Sequence, residues 1–97
     1  MRAALLFAIT CAGLAACAAP PPVATAADAA RSGVALDQLS HGRQLLVAKC
    51  SGCHTTPVPV QHTASDWPVK IDEMAERSHL DGEQRRAIET YLVAMTR

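Results

Sequence analysis

Cys50-Ser51-Gly52-Cys53-His54 is the stretch on which the reading of this chain turns. Residues three apart lie on one side of a helical turn, so the two thiols project together and the imidazole of His54 follows beside the second. Upstream, Leu39, Leu45, Leu46 and Ala48 offer an apolar face to bury. They predict a first helix from residue 36 or 41 to residue 49, with Ser40 as an internal N-cap and Gly42 allowing close approach of another helix.

A Cys-x-x-Cys-His string is the attachment site of a c-type haem. Each thiol adds across a vinyl group of the ring, and the adjacent imidazole becomes the proximal ligand of the iron. Cys50 and Cys53 would therefore tether one covalent haem c, and His54 would ligate it. The competing uses of Cys-x-x-Cys find less support in the rest of the chain. A thioredoxin-like redox pair calls for a βαβ setting, and a structural zinc site calls for a second ligand pair at short spacing. His62 and His79 could join the cysteines around zinc, but they are far apart in sequence.

Two further segments carry a helical period. Trp67, Ile71, Met74 and Ala75 share one face of a helix that begins near Ser65, whose hydroxyl can cap it, with Asp66 and Pro68 suited to the first turn. Ala87, Ile88, Tyr91, Leu92 and Met95 form a stripe on a helix that starts after Asp81, with Gln84 three residues on completing a capping-box pattern. Between Cys53 and the second of these helices, Pro57 and Pro59 mark a loop. The predicted fold class is all-α: a compact three-helix domain over residues 36–97.

Over roughly residues 40–95 the chain resembles the small monohaem cytochromes c. The resemblance rests on Cys50-Ser51-Gly52-Cys53-His54, on Gly42 eight residues before the first cysteine, on Trp67-x-x-x-Ile71-x-x-Met74, and on the run from Leu80 through Arg85, Ala87, Ile88, Tyr91 and Leu92. It implies that the first and last helices cross, with Tyr91 packed near Gly42. It also implies that a proline near the haem histidine steadies the backbone there, a part for Pro57 or Pro59 if they do more than keep the loop extended. A methionine from the middle helix is implied as sixth ligand, which selects Met74. Met95 belongs to the stripe that must meet the first helix and is read as core filling, while His79, His62 or an open site are the alternatives. A thioether raises the reduction potential relative to a second imidazole, and a filled sixth position excludes substrate. Trp67 is expected to pack against the ring, with donation of its indole N–H to a haem propionate as the alternative.

The N-terminus reads as an export signal. Met1-Arg2 supplies a positive start, and residues 3–16 are almost unbroken Ala-rich apolar sequence, too short to span a bilayer. The run ends in Leu14-Ala15-Ala16-Cys17, which resembles the lipobox of bacterial lipoproteins, so residues 1–16 are expected to be removed and Cys17 to carry lipid. Cleavage in Val23-Ala24-Thr25-Ala26 to give a soluble periplasmic protein is the weaker alternative. Ala18 rather than Asp after the cysteine leans toward the outer membrane. With Cys11 lost, Cys17 lipidated and Cys50 and Cys53 on haem, no thiol remains for a disulfide.

Residues 17–35 are Ala, Pro, Thr and Val-rich with no apolar period, and Pro20-Pro21-Pro22 favours extended chain. They are expected to form a disordered tether between the lipid and the domain. The domain itself has only Trp67 and Tyr91 as aromatics, and at this size a core is marginal without a cofactor. Without Arg2 the chain carries eight Lys and Arg against nine Asp and Glu, eight minus nine or −1. That balance argues against a nucleic-acid partner and gives no strong global field to steer a charged one. Arg85-Arg86 is the local candidate for partner docking, against the simpler reading of a solvated face. No carboxylate pair suggests acid and base catalysis. The expected function is one-electron transfer, not enzymatic turnover, between periplasm-facing or membrane-associated partners such as a dehydrogenase, an oxidase or another cytochrome. The alternatives are a haem-based sensor or minor peroxidase with an exchangeable distal ligand, and a non-haem metal-binding lipoprotein.

Overall fold

The first and last predicted helices meet where Gly42 removes a side chain. A Cβ at that position would press on the carbonyl oxygen of Ala87 and stand 2.8 Å from the Cβ of Tyr91, so two backbones come together there that any larger residue would separate. The computed structural model describes residues 19–50 and 56–96. Among these residues the elements are α1 (Ala26–Ser32), α2 (Leu36–Cys50), a 3-10 turn (Pro59–Gln61), α3 (Trp67–Arg77) and α4 (Gly82–Met95), with no strand. No helix among them is long and apolar enough to cross a membrane.

The predicted all-α class holds, and the three expected helices are α2, α3 and α4. α2 starts at Leu36 rather than 41, which leaves Ser40 inside the helix and not at a cap. Leu39 and Leu46, two turns apart, are fully buried, whereas Ala48 is exposed. α3 contributes Trp67 and Ile71, and α4 contributes Ile88, Tyr91, Leu92 and Met95, so the core lies where the three faces converge. The Asp81 cap forms as expected: its carboxylate accepts from the Gln84 N–H at 2.8 Å while the Gln84 side chain accepts from the Asp81 N–H. The Ser65 cap does not form. Asp66 is the N-cap without a side-chain bond, and the Thr63 hydroxyl accepts the Asp66 N–H instead. Arg85 bridges α4 to α3 through Asp72 and also pairs with Glu89 on its own helix, so the Arg85-Arg86 pair is half committed to the fold.

The disordered tether is corrected by a fourth helix. Thr25 and Asp28 form a reciprocal capping box that starts α1, and Gly33 ends it in the left-handed conformation at φ 71°, its N–H returning to the Ala29 carbonyl. Seven residues are too few to hold a helix alone, so α1 depends on the bundle. Arg31 donates to the Ala94 carbonyl at the end of α4 at 2.9 Å, and Asp28 is buried with Arg31 beside it. The prolines before α1 are also held. Arg43 of α2 donates to the Pro21 carbonyl at 2.9 Å, and the Tyr91 hydroxyl of α4 donates to the Pro22 carbonyl at 2.5 Å. Proline cannot donate, but its carbonyl accepts well, and these two acceptors are what the buried polar tips of α2 and α4 use.

Candidate cofactor site

α2 ends at Cys50, the first residue of the Cys-x-x-Cys-His string. Cys53 and His54, like Cys17 and the rest of residues 1–18, lie outside the described residues. Cys50 is half-buried and packs against the core together with Leu45, Met74 and Leu80. Burial pushes its thiol up from the usual range, and a hydrogen bond from the Ser78 side chain pulls it part of the way back.

Ser78 is the residue that meets Cys50. It caps the C-terminus of α3, and its N–H returns to the Met74 carbonyl at 3.0 Å. Met74 and Ser78 are four apart and therefore share a face, one turn from each other. Contact between Cys50 and Ser78 thus brings the start of the cysteine motif to the end of α3, on the side where Met74 is half-buried. The turn that follows is a Schellman motif: the Leu80 N–H reaches the Ala75 carbonyl at 3.0 Å and the His79 N–H reaches that of Glu76. Its left-handed position is filled by His79 at φ 54°, where glycine is the easier occupant. The turn sends Leu80 back toward the core and leaves His79 exposed.

The other competing ligands fall elsewhere. His62 stacks edge-on against Trp67, ring centroids 4.8 Å apart, at the opposite end of α3. Eleven helical residues separate the ends by about 16 Å, so His62 and His79 are too distant to share one tetrahedral ion with Cys50. Met95 is buried in the α4 stripe, as expected. Trp67 is fully buried and its indole N–H is already shared between the Pro59 carbonyl at 3.2 Å and the Thr96 hydroxyl at 3.1 Å. The propionate alternative for Trp67 is therefore set aside: the N–H is used to tie α3 to the 3-10 turn and to the end of α4. Pro59 is buried and serves through that carbonyl.

The donor set suits a haem. Thiol, imidazole and thioether are its usual tethers and axial ligands, and Cys50 and Met74 are both half-buried side chains packed against the core. Sequence reasoning missed Ser78 as the partner of Cys50. A serine at a helix end carries no signal of its own, and only the fold puts it against Cys50. Set against protein-family models, curated proteins and solved structures, the chain has no match.

Proposed function

We propose that the protein is a one-electron carrier that holds a single covalent haem c through Cys50 and Cys53, with His54 as proximal and Met74 as distal ligand. The observation that carries this reading is the Cys-x-x-Cys-His string leaving the end of α2 beside the Cys50–Ser78 contact, one helical turn from Met74. Bound haem supplies reversible one-electron chemistry at its iron. The chain's own residues do the rest. The two thiols would tether the ring, and Met74 would offer a sulfur from α3, which is packed against α4. Arg85 ties α4 to α3 through Asp72, which supports a fixed place for the helix that would carry the distal ligand. A leading signal peptide, a lipid on Cys17 and a periplasm-facing location belong to the same proposal, supported by Leu14-Ala15-Ala16-Cys17.

Denaturing electrophoresis with a haem peroxidase stain tests the attachment, and a coloured band at the monomer mass is expected from cells with working cytochrome maturation. Replacing Met74 by Ala is expected to remove the sulfur-to-iron charge-transfer absorption of the ferric protein, to lower the potential and to admit carbon monoxide. Replacing Met95 by Ala should cost about 2–5 kcal/mol of stability and leave the spectrum intact. An unstained band overturns haem attachment, and a spectrum altered only by His79 or His62 substitution overturns the choice of Met74.

A further inference from the structure

The prolines that were expected to give the domain reach instead shorten it. Among the described residues, the first hydrogen bond from the N-terminal chain to the folded body is Arg43 to the Pro21 carbonyl, only four residues after Cys17. Four fully extended residues cover at most about 14 Å. A lipid on Cys17 would therefore sit next to the body and not at the end of a long strand. The surface where this segment joins the body is an apolar groove of about 510 Å³, lined by Ala19, Pro20, Val23, Val58, Val60 and Met95 among others. Val23 and Val60 on its edges are 67% and 84% exposed, the two most exposed large apolar side chains among the described residues. The charged side chain in the lining, Asp28, is buried and ion-paired to Arg31.

Resting on the reading of Cys17 as lipidated, we infer that this face is the membrane-seating surface of the domain: the bilayer that carries the anchor covers the Val23 and Val60 edges, and the body lies against the lipid in one orientation. A covalent lipid and an adjoining apolar patch, whose carboxylate Asp28 is buried and ion-paired, are two membrane signals in one place, which is what stable seating takes. The orientation has a consequence for the site. The groove includes Pro59 and Met95, which lie at the Trp67 end of α3, whereas Cys50 and Ser78 mark the other end, about 16 Å along the helix. The seated domain turns its cofactor corner away from the membrane, toward partners arriving from the aqueous side.

The test uses the full, haem-loaded, membrane-extracted protein returned to vesicles of phosphatidylethanolamine and phosphatidylglycerol. Nitroxide labels are placed singly at Val60→Cys and at Glu83→Cys, the latter at the start of α4 and about 18 Å along that helix from Met95. Seating predicts a label at 60 with several-fold higher collision with oxygen relative to a water-soluble nickel chelate, and a label at 83 that stays in the aqueous regime. Mass spectrometry of the same sample reports the N-terminus. A lipidated protein whose two labels behave alike overturns the orientation and leaves the anchor standing. An unmodified N-terminus overturns the anchor, and the seating falls with it.

Discussion

At Gly42 the space for one hydrogen atom decides how closely α2 and α4 approach. Alanine is the better helix former by about 1 kcal/mol, yet its methyl would meet backbone at Ala87, which cannot swing aside as a side chain can. Gly42→Ala is expected to destabilise the fold by about 1–3 kcal/mol, the usual cost of overpacking, measured by chemical denaturation. Tyr91 sits against the same crossing. Burial raises its hydroxyl to about 12, with Arg43 lowering it and Asp28 raising it further. The sign follows from the bond it makes: the protonated hydroxyl donates to the Pro22 carbonyl, and a phenolate could not. Stability from this group is therefore fully present below the ordinary tyrosine value near 10 and is lost as pH rises from there to about 12. Tyr91→Phe should cost about 0.5–1.5 kcal/mol at neutral pH and flatten that alkaline loss, as followed by pH-dependent unfolding.

α1 is the element whose existence depends most on its neighbours. Its capping box and its terminal glycine are local devices, but seven residues of Ala-rich helix need the Arg31 bond to α4 to persist. Thr25→Ala removes one half of the box and should cost about 1 kcal/mol, felt as faster amide exchange within α1 while α2 and α4 exchange as before. The capping signal Thr25-x-x-Asp28 was present in the sequence and was obscured by the prolines before it, which argue for extended chain when read alone. For α3 the reverse holds. Its apolar face and Pro68 were legible, but the start moved from Ser65 to Trp67 because Thr63, not Ser65, holds the entering backbone.

The described residues of the domain form a small helical body with one cluster of buried side chains, in which Trp67 and Tyr91 are the aromatics. A cluster of that size leaves little margin over chain entropy. If the proposed haem is attached, it stabilises the folded state by every contact it makes there and not in the unfolded chain. The Cys50→Ala, Cys53→Ala double variant is accordingly expected to lose the haem stain and to melt at a much lower temperature than the parent, with helical circular dichroism as the readout. An unchanged melting curve in a protein that has lost its stain would place the stability in the polypeptide alone.

Sequence by itself determined the all-α class, the three principal helices and the Asp81 cap, because each is written as short-range periodicity or as a residue with one conformational use, while the meeting of Gly42 with Tyr91 was implied by the resemblance to small cytochromes c. It also singled out the Cys-x-x-Cys-His string as the point where chemistry would be found. Tertiary structure decided what no local pattern encodes. Pro21 and Pro22 became acceptors for Arg43 and Tyr91, Trp67 spent its N–H on Pro59 and Thr96, and Ser78 came to rest against Cys50. Those partners are between 8 and 69 residues apart in the chain. A polar group buried at such a contact must be satisfied by whatever the packing brings to it, and that choice is made only when the helices dock.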